Sequence, residues 1–257
     1  QDMRNILNYL YKIKFLRRIV PSTFKIIVKI FKIKNIVAKH ENFFLNLNPE
    51  NPIDREIYLK REYEKEQITF LKNEIKKNDI STFIDIDAHL GFYSLSLSDY
   101  LNVYSFEPIK KNFNQLKSNV LINNFDNIHI FNLALSNKKK KIEMWVSDIK
   151  RTGGFSVFNE NDEELRKYNS TYSELTQSDL ADSILNIKNT NLAIKIDVER
   201  HEEQVLLGAT KLLTENKVII QIEIFEKRKK KIFDILKNYK YQLYNTIGKD
   251  YYFRNFI

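Results

Sequence analysis

Cysteine is absent from this chain, and no run of about 18 residues is apolar and uncharged enough to cross a bilayer. The first absence removes disulfides, thiolate metal sites and a cysteine nucleophile; it fits a reducing compartment, so a cytoplasmic location is expected. The second argues against a spanning helix, and with no small-residue cleavage site after the first apolar stretch a removable secretion signal is not expected either. Internal repeats are lacking too. The net charge of +9 does not extend through the chain: residues 1–40 hold ten Lys and Arg against the single acid Asp2, and the remaining 217 residues balance 32 bases with 32 acids. A body without net charge has no overall field for a polyanion, so no nucleic-acid partner is expected.

The basic segment is also apolar. "NILNYLYKIKFLRRIVPSTFKIIVKIFKIKN" interleaves Ile, Leu, Phe and Tyr with Lys and Arg, and Pro21, Ser22 and Thr23 are expected to divide it into two helices. In the second, Phe24, Ile27, Val28 and Phe31 recur at helical spacing. Two settings suit such a basic amphipathic arm over residues 1–40: peripheral contact with an anionic leaflet at the inner face of the membrane, or packing on the protein's own body or a second subunit. Residues 41–80 read as a helical lead-in to a domain spanning 81–257. Oligomeric state is not legible.

From residue 81 onward, apolar runs suited to buried strands alternate with helical patterns, the rhythm of an α/β fold with a mostly parallel sheet and helices on both faces. The expected strands are Thr82–Ile86, Val103–Phe106, Ile128–Leu133, Leu192–Val198 and Lys217–Ile224, and the expected helices Tyr93–Tyr100, Lys111–Asn123, Glu202–Glu215 and Lys227–Asn238. "KIEMWV" and "GGFSVF" look like an inserted antiparallel pair, with Trp145 in the core, and "YQLYN" and "DYYFRNF" like a closing antiparallel hairpin turned at Gly248.

In an open parallel sheet, ligands gather at the carboxyl ends of the strands near the point where strand order reverses. Asp85 sits near the end of the first expected strand, Gly91 in the turn beyond it, and Glu107 ends the second strand 22 residues after Asp85. A glycine turn lets main chain approach a ligand, and a carboxylate at the second strand end can accept both hydroxyls of a ribose.

"FIDIDAHLGFYSL", "SFEP", "NLALS", "LADSIL", "AIKIDVERHEEQVLLGA" and "QIEIF", in this order, resemble the FkbM family of S-adenosylmethionine-dependent methyltransferases, over roughly residues 43 to 245. The resemblance implies a class I methyltransferase (Rossmann-like) fold with a seven-stranded sheet, S-adenosyl-L-methionine as cofactor, and O-methylation of a sugar or small-metabolite hydroxyl. Carried over by position, it places Asp85, Asp87, Ala88, His89, Gly91 and Tyr93 in and beside the cofactor loop and makes Glu107, followed by Pro108, the ribose acid. Asn132 and Ala134 then fall at the adenine pocket. Asp197 and Glu199 fall on the signature "KIDVEG.E" and become the candidates for the catalytic base or for acceptor binding; from their alternation, only one is expected to see the pocket. Capping of the helix after residue 201 is the structural alternative for Asp197.

Two residues depart from that pattern: Asp87 and Arg200 stand where the family has glycine. Emerging from neighbouring strand ends, they are expected to form a compensating ion pair. No metal site is expected, His201 reading as a surface residue and "EKRKKK" as a solvated face. The insertion between residues 146 and 177 offers Arg151, Ser156 and Tyr168 as acceptor contacts. The Asn/Asp-Pro-Pro-Tyr/Phe tetrad that would hold a flipped base is missing. A former methyltransferase kept as a membrane-surface or partner-binding scaffold is the non-enzymatic alternative.

Overall fold

The computed structural model describes residues 2–99, 101–146, 155–157 and 172–257. The chain opens with α1 (Asp2–Lys12) and α2 (Ile19–Ile30), a hairpin of β1 (Ile36–His40) and β2 (Phe43–Leu47), then α3 (Pro52–Lys60) and α4 (Lys65–Lys77). The break between the first two helices falls at residues 13–18 and not at Pro21. Pro21 lies in the first turn of α2, where a missing N–H forfeits no helical bond. Val20, Phe24 and Val28 make the buried stripe of α2, and Phe24 stacks on Tyr58 of α3 with ring centroids 5.2 Å apart. α1 rests on the same helix: Asn8 donates to the carbonyls of Leu59 and Lys60 at 2.8 and 3.0 Å, and Arg4 to that of Tyr58 at 3.0 Å. The arm is therefore packed on the body. The lead-in, expected to be helical, starts instead with β2, and α3 begins where Asn51 accepts from the Ile53 N–H at 3.0 Å ahead of Pro52.

The sheet domain runs β3 (Thr82–Ile86), α5 (Phe92–Ser96), β4 (Asn102–Phe106), α6 (Lys110–Asn123) and β5 (Ile128–Phe131). A second, four-stranded sheet follows, built from β6 (Ala134–Leu135), β7 (Lys140–Val146), β8 (Phe155–Val157) and β9 (Tyr172–Asp179) in the order β6, β9, β7, β8. After α7 (Ala181–Ile184) come β10 (Asn191–Ile196), α8 (Glu202–Gly208), α9 (Thr210–Thr214), β11 (Lys217–Glu223), α10 (Lys229–Asn238), β12 (Gln242–Ile247) and β13 (Asp250–Arg254). The expected helix over 202–215 is two, parted at Ala209, whose φ of −118° leaves the helical range.

The main sheet has seven strands in the order β12, β13, β11, β10, β3, β4, β5, parallel from β11 to β5 and closed by the antiparallel β12–β13 hairpin. This is the class I methyltransferase arrangement. β3 and β10 are the strands from which the order runs outward in both directions, so the crevice at their carboxyl ends is the switch point. One face of the sheet packs Ile84, Ile86, Ile194, Ile220 and Ile222 against α8, α9 and α10. The other packs Phe83, Val103, Ala193 and Ile219 against α4, α5 and α6.

That second face carries a polar row. Ser105, Asp85, Lys195, Gln221 and Tyr252 are register partners across five neighbouring strands, and all are buried. A polar row inside a core is tolerated only where each member finds partners, and α5 supplies several of them. Ser94 donates its main-chain N–H and its hydroxyl to Asp85 Oδ2 at 3.1 and 2.6 Å, and its hydroxyl lies 2.7 Å from that of Ser105. Gln221 donates to the Tyr93 hydroxyl and to Asp250 Oδ1, each at 3.0 Å.

Gly208 marks the closest crossing of the two sheets' surroundings. A Cβ there would stand 1.9 Å from the carbonyl oxygen of Ser136 and 2.7 Å from its carbon, both main-chain atoms that cannot swing aside. Gly208→Ala is expected to cost about 3 kcal/mol, the upper end of the range for forced overpacking because the clash is with main chain, and a urea titration followed by tyrosine fluorescence reads the shift in midpoint.

Candidate active site

The loop after β3 is bent by three left-handed residues in five: Asp87 at φ 67°, His89 at 52° and Gly91 at 86°. Only glycine takes this conformation freely, so Asp87 and His89 each carry about 1 kcal/mol or more of strain. The bend aims main-chain N–H groups at the end of β4. Those of Asp87 and Ala88 both reach the Phe106 carbonyl at 2.9 Å, and that of His89 reaches Glu107 Oε2 at 2.8 Å. Gly91 begins α5, where a Cβ would come within 2.4 Å of Leu116.

Two cavities meet at this loop, with Asp87 and Glu199 in the wall of both. The larger, ≈ 90 Å³, is bounded by Tyr63, Glu64, Tyr93, Lys195 and Asp197 on one side and by the loop on the other. The smaller, ≈ 20 Å³, is an apolar slot among Pro108, Leu133, Ala134, Met144 and Val198. Of the residues expected around a cofactor, Asp85, Asp87, Ala88, His89 and Tyr93 line the larger cavity, and Pro108 and Ala134 the slot. Asn132, Gly91 and Glu107 line neither; the Asn132 amide donates to the Glu107 and Pro108 carbonyls at 2.9 and 3.0 Å and fixes the main chain there. Asp197 and Glu199, expected to face opposite ways, both line the larger cavity. Residues two apart in extended chain share a face, so alternation itself puts Asp197 and Glu199 on one side; β10 ends at Ile196, and Arg200 at φ 66° turns the segment back.

Lys195 was not anticipated and holds the centre. Its ammonium pairs with Asp197 at 3.0 Å and lies 4.9 Å from the centroid of the Tyr93 ring. Burial works against its charge, yet Asp197, Asp85 and Glu64 together keep it above lysine's usual range. For Asp197 burial acts upward, but Lys195 and a hydrogen bond with Glu223 hold the carboxyl below the usual carboxylate range. It caps no helix: the N–H of Arg200 is taken by Glu202 Oε1 at 3.0 Å. For Glu199, burial and the Asp197 charge outweigh the cations Arg200 and Lys249 and push it up to about 7. Glu223, half-buried beside Asp197, rises to about 8. Glu64, from the turn before α4, accepts from the Tyr93 hydroxyl at 2.7 Å. A lysine two residues before Asp197 in an otherwise apolar strand was the readable signal; Glu64, Tyr63 and Glu223 gave none.

Glu107, and not Arg200, governs Asp87: the half-buried Asp87 carboxyl donates a hydrogen bond to Glu107, with burial first and then the Glu107 charge pushing it well above the usual range. Burial also raises Glu107, to about 7. Glu107 already accepts from the N–H groups of His89 and Ile109, each at 2.8 Å, and from the Asn112 amide at 3.5 Å. A carboxylate offers about four acceptor places, and Asp87 takes the last. Burial lowers His89 and His201 to about 4, so both rings are neutral; His201 lies 2.9 Å from the Ser136 hydroxyl rather than in solvent. No cluster of three metal-ligating side chains occurs among the described residues. Arg151 and Tyr168 lie outside the described residues, as do the side chains of Trp145 and Ser156, whose main chains pair between β7 and β8.

The family model of the FkbM methyltransferase domain matches residues 85–243, most of the sheet domain. The chain belongs to this family. It is a S-adenosylmethionine-dependent methyltransferase. Among solved structures the chain is similar to M. jannaschii TYW2 in complex with AdoMet, 11% identical, with 86% of this chain and 84% of that one covered at a TM-score of 0.44. The ribosomal protein L11 methylase of Lactobacillus delbrueckii subsp. bulgaricus is 12% identical, with 75% and 78% covered at 0.41. No curated protein matches the chain.

The residues present fit the cofactor. The apolar slot has the lining an adenine ring needs, Glu107 directly precedes Pro108 of that wall and is the carboxyl a ribose would use once Asp87 is displaced, and Asp85 Oδ1 is a buried acceptor without a partner, suited to the ammonium of the amino-acid end. The methyltransferase's loop makes two testable demands. Ribose hydroxyls must displace Asp87 from Glu107, so Asp87→Gly, which also relieves the strain at φ 67°, is expected to tighten S-adenosylmethionine binding about ten-fold. In the unaltered protein, ribose binding favours ionised Glu107, whose carboxyl lies at about 7 without ligand. Affinity is then full above that pH and falls as pH drops through it; calorimetry between pH 6 and 8 measures both effects. Lys195→Met leaves buried Asp85 and half-buried Asp197 and Glu64 without their cation and is expected to cost about 2–3 kcal/mol at pH 8, less than for a fully buried pair because water reaches Asp197. Proton uptake by those carboxyls raises the variant's stability as pH falls, so denaturant midpoints at pH 5 should show a smaller loss.

Proposed function

We propose that this methyltransferase methylates a hydroxyl of a sugar, glycan or small metabolite, with Glu199 as the general base. The observation that carries the reading is the lining of the cleft: Glu64, Asp85, Asp87, Asp197 and Glu199, with Lys195, already paired with Asp197, as the one Lys or Arg among its described lining residues. A wall of carboxyls and tyrosine hydroxyls offers many hydrogen-bonding groups to a neutral, hydroxyl-rich acceptor and no free cation to a phosphate backbone. This argues against a nucleic-acid substrate.

When bound, S-adenosylmethionine supplies a sulfonium methyl group open to attack by an oxygen lone pair. The chain's own residues position that oxygen and remove its proton. Glu199, at about 7, is poised to take the proton near neutrality, because a base works best with a pKa close to the working pH. Asp197, kept ionised by Lys195, serves as a fixed acceptor that orients the same hydroxyl or its neighbour on the ring. Glu223, at about 8 and hydrogen-bonded to Asp197, offers a place for the proton to move on.

The test is incubation of the full chain with S-adenosylmethionine and a panel of sugars, nucleotide sugars and phenols, following S-adenosylhomocysteine release and the methylated product by mass spectrometry. Turnover with hydroxyl acceptors and none with RNA or protein supports the reading; turnover confined to RNA, protein or an amine overturns it. With an acceptor in hand, Glu199→Gln is expected to lower kcat about 100-fold or more. The acid limb of the pH–rate profile, centred near 7 in the unaltered enzyme because protonated Glu199 is inactive, should vanish, while cofactor affinity changes less than about three-fold.

A further inference from the structure

Of the seventeen large apolar side chains exposed among the described residues, ten lie between residues 6 and 37. On α1, Ile6 and Tyr9 recur on one side, continued by Ile13; on α2, Ile19, Ile26 and Ile30 do the same. These stripes are not the ones that hold the arm to the body. Val20, Phe24 and Val28 fill that role on α2, and Arg4 with Asn8 on α1. Phe15, at the turn between the helices, is 78% exposed and Phe31, at the end of α2, 71%.

The outer stripes are bordered by exposed Lys12, Arg17, Arg18, Lys25, Lys29 and Lys32, and no acid occurs from residue 3 to residue 40. Contiguous apolar surface rimmed by charge marks an interaction site. A second copy of the chain would bring two basic stripes face to face, which like-charge repulsion opposes. An anionic lipid leaflet meets both demands at once: an acyl boundary for Ile and Phe, and phosphates at the depth where Lys and Arg stems end.

We propose that α1 and α2 form a platform that docks flat on an anionic membrane surface. The platform is already folded against α3, so docking does not have to order it. α3 also contributes Ile53 and Ile57 to the wall of the larger cavity, which sets the cleft a single helix away from the platform.

Sedimentation of the full chain with vesicles of phosphatidylcholine, with or without phosphatidylglycerol, tests this. Binding is expected to be at least ten-fold tighter with phosphatidylglycerol and to weaken as salt is raised. Combined Lys25→Gln, Lys29→Gln and Lys32→Gln should lose about 100-fold, at about five-fold for each base. Combined Phe15→Ser, Ile30→Ser and Phe31→Ser should abolish pelleting while melting temperature and S-adenosylmethionine affinity stay unchanged, since these side chains are exposed and remote from the loop. Absence of binding, equal binding to both vesicles, or full binding by both variants would overturn the proposal. So would a dimer in solution that the serine variant dissolves, because the face would then serve self-association.

Discussion

A lysine ammonium sealed inside a parallel sheet is the constraint from which the centre of this enzyme follows. Lys195 is 5% exposed, and a cation so placed is tolerable only with carboxylates around it. The chain provides them from three directions: Asp85 from the adjacent strand, Asp197 from its own strand end and Glu64 from the lead-in before α4. Each of these acids is costly to bury alone. Together they set one another's ionisation, with Asp197 held charged and Glu199, just outside the cation's reach, left near neutrality. The difference between two carboxyls separated by a single residue is what would give the cleft both a fixed anion and the base proposed above.

The same economy shapes the loop after β3. Its left-handed residues place three N–H groups on the end of β4, two on a carbonyl and one on Glu107. The hydrogen bonds offset the strain of Asp87 and His89, and they explain why the bend survives without glycine at residue 87. The Asp87 side chain meets another acid, Glu107, where an ion pair with Arg200 had been expected. A shared proton resolves the meeting. The substitution therefore did not destroy the site; it placed an internal competitor on the group that a ribose needs.

Much of the fold was readable because burial on both faces writes itself into the chain as unbroken apolar runs, and "TFIDI" and "KVIIQIE" are strands to the residue or nearly so. Glu107 was readable because its distance from Asp85 is set by one strand–helix–strand unit. What escaped was whatever depends on register between distant segments. Glu64 meets Lys195 across 131 residues of chain, and nothing local to "REYEKEQ" distinguishes it from a solvated acid. Pro21 misled for a related reason: proline punctuates a helix interior but is welcome in a first turn, and only tertiary contact through Val20 and Phe24 decides where that turn begins.

Charge is divided between the two ends of this arrangement. The excess of bases belongs to the arm, whereas the cleft that α3 separates from it is lined by acids. Such a separation gives the molecule a dipole, and a dipole near a charged surface is oriented before it touches. An anionic leaflet would draw the arm and repel the cleft mouth, so phosphate-bearing lipid could not plug the site while the protein is held beside it. An acceptor hydroxyl carried on an uncharged sugar would feel no such repulsion. On the two readings proposed above, the opposed signs would let one molecule be attracted to a polyanionic surface and still select, within a helix's breadth of it, for substrates that carry no charge at the reacting end.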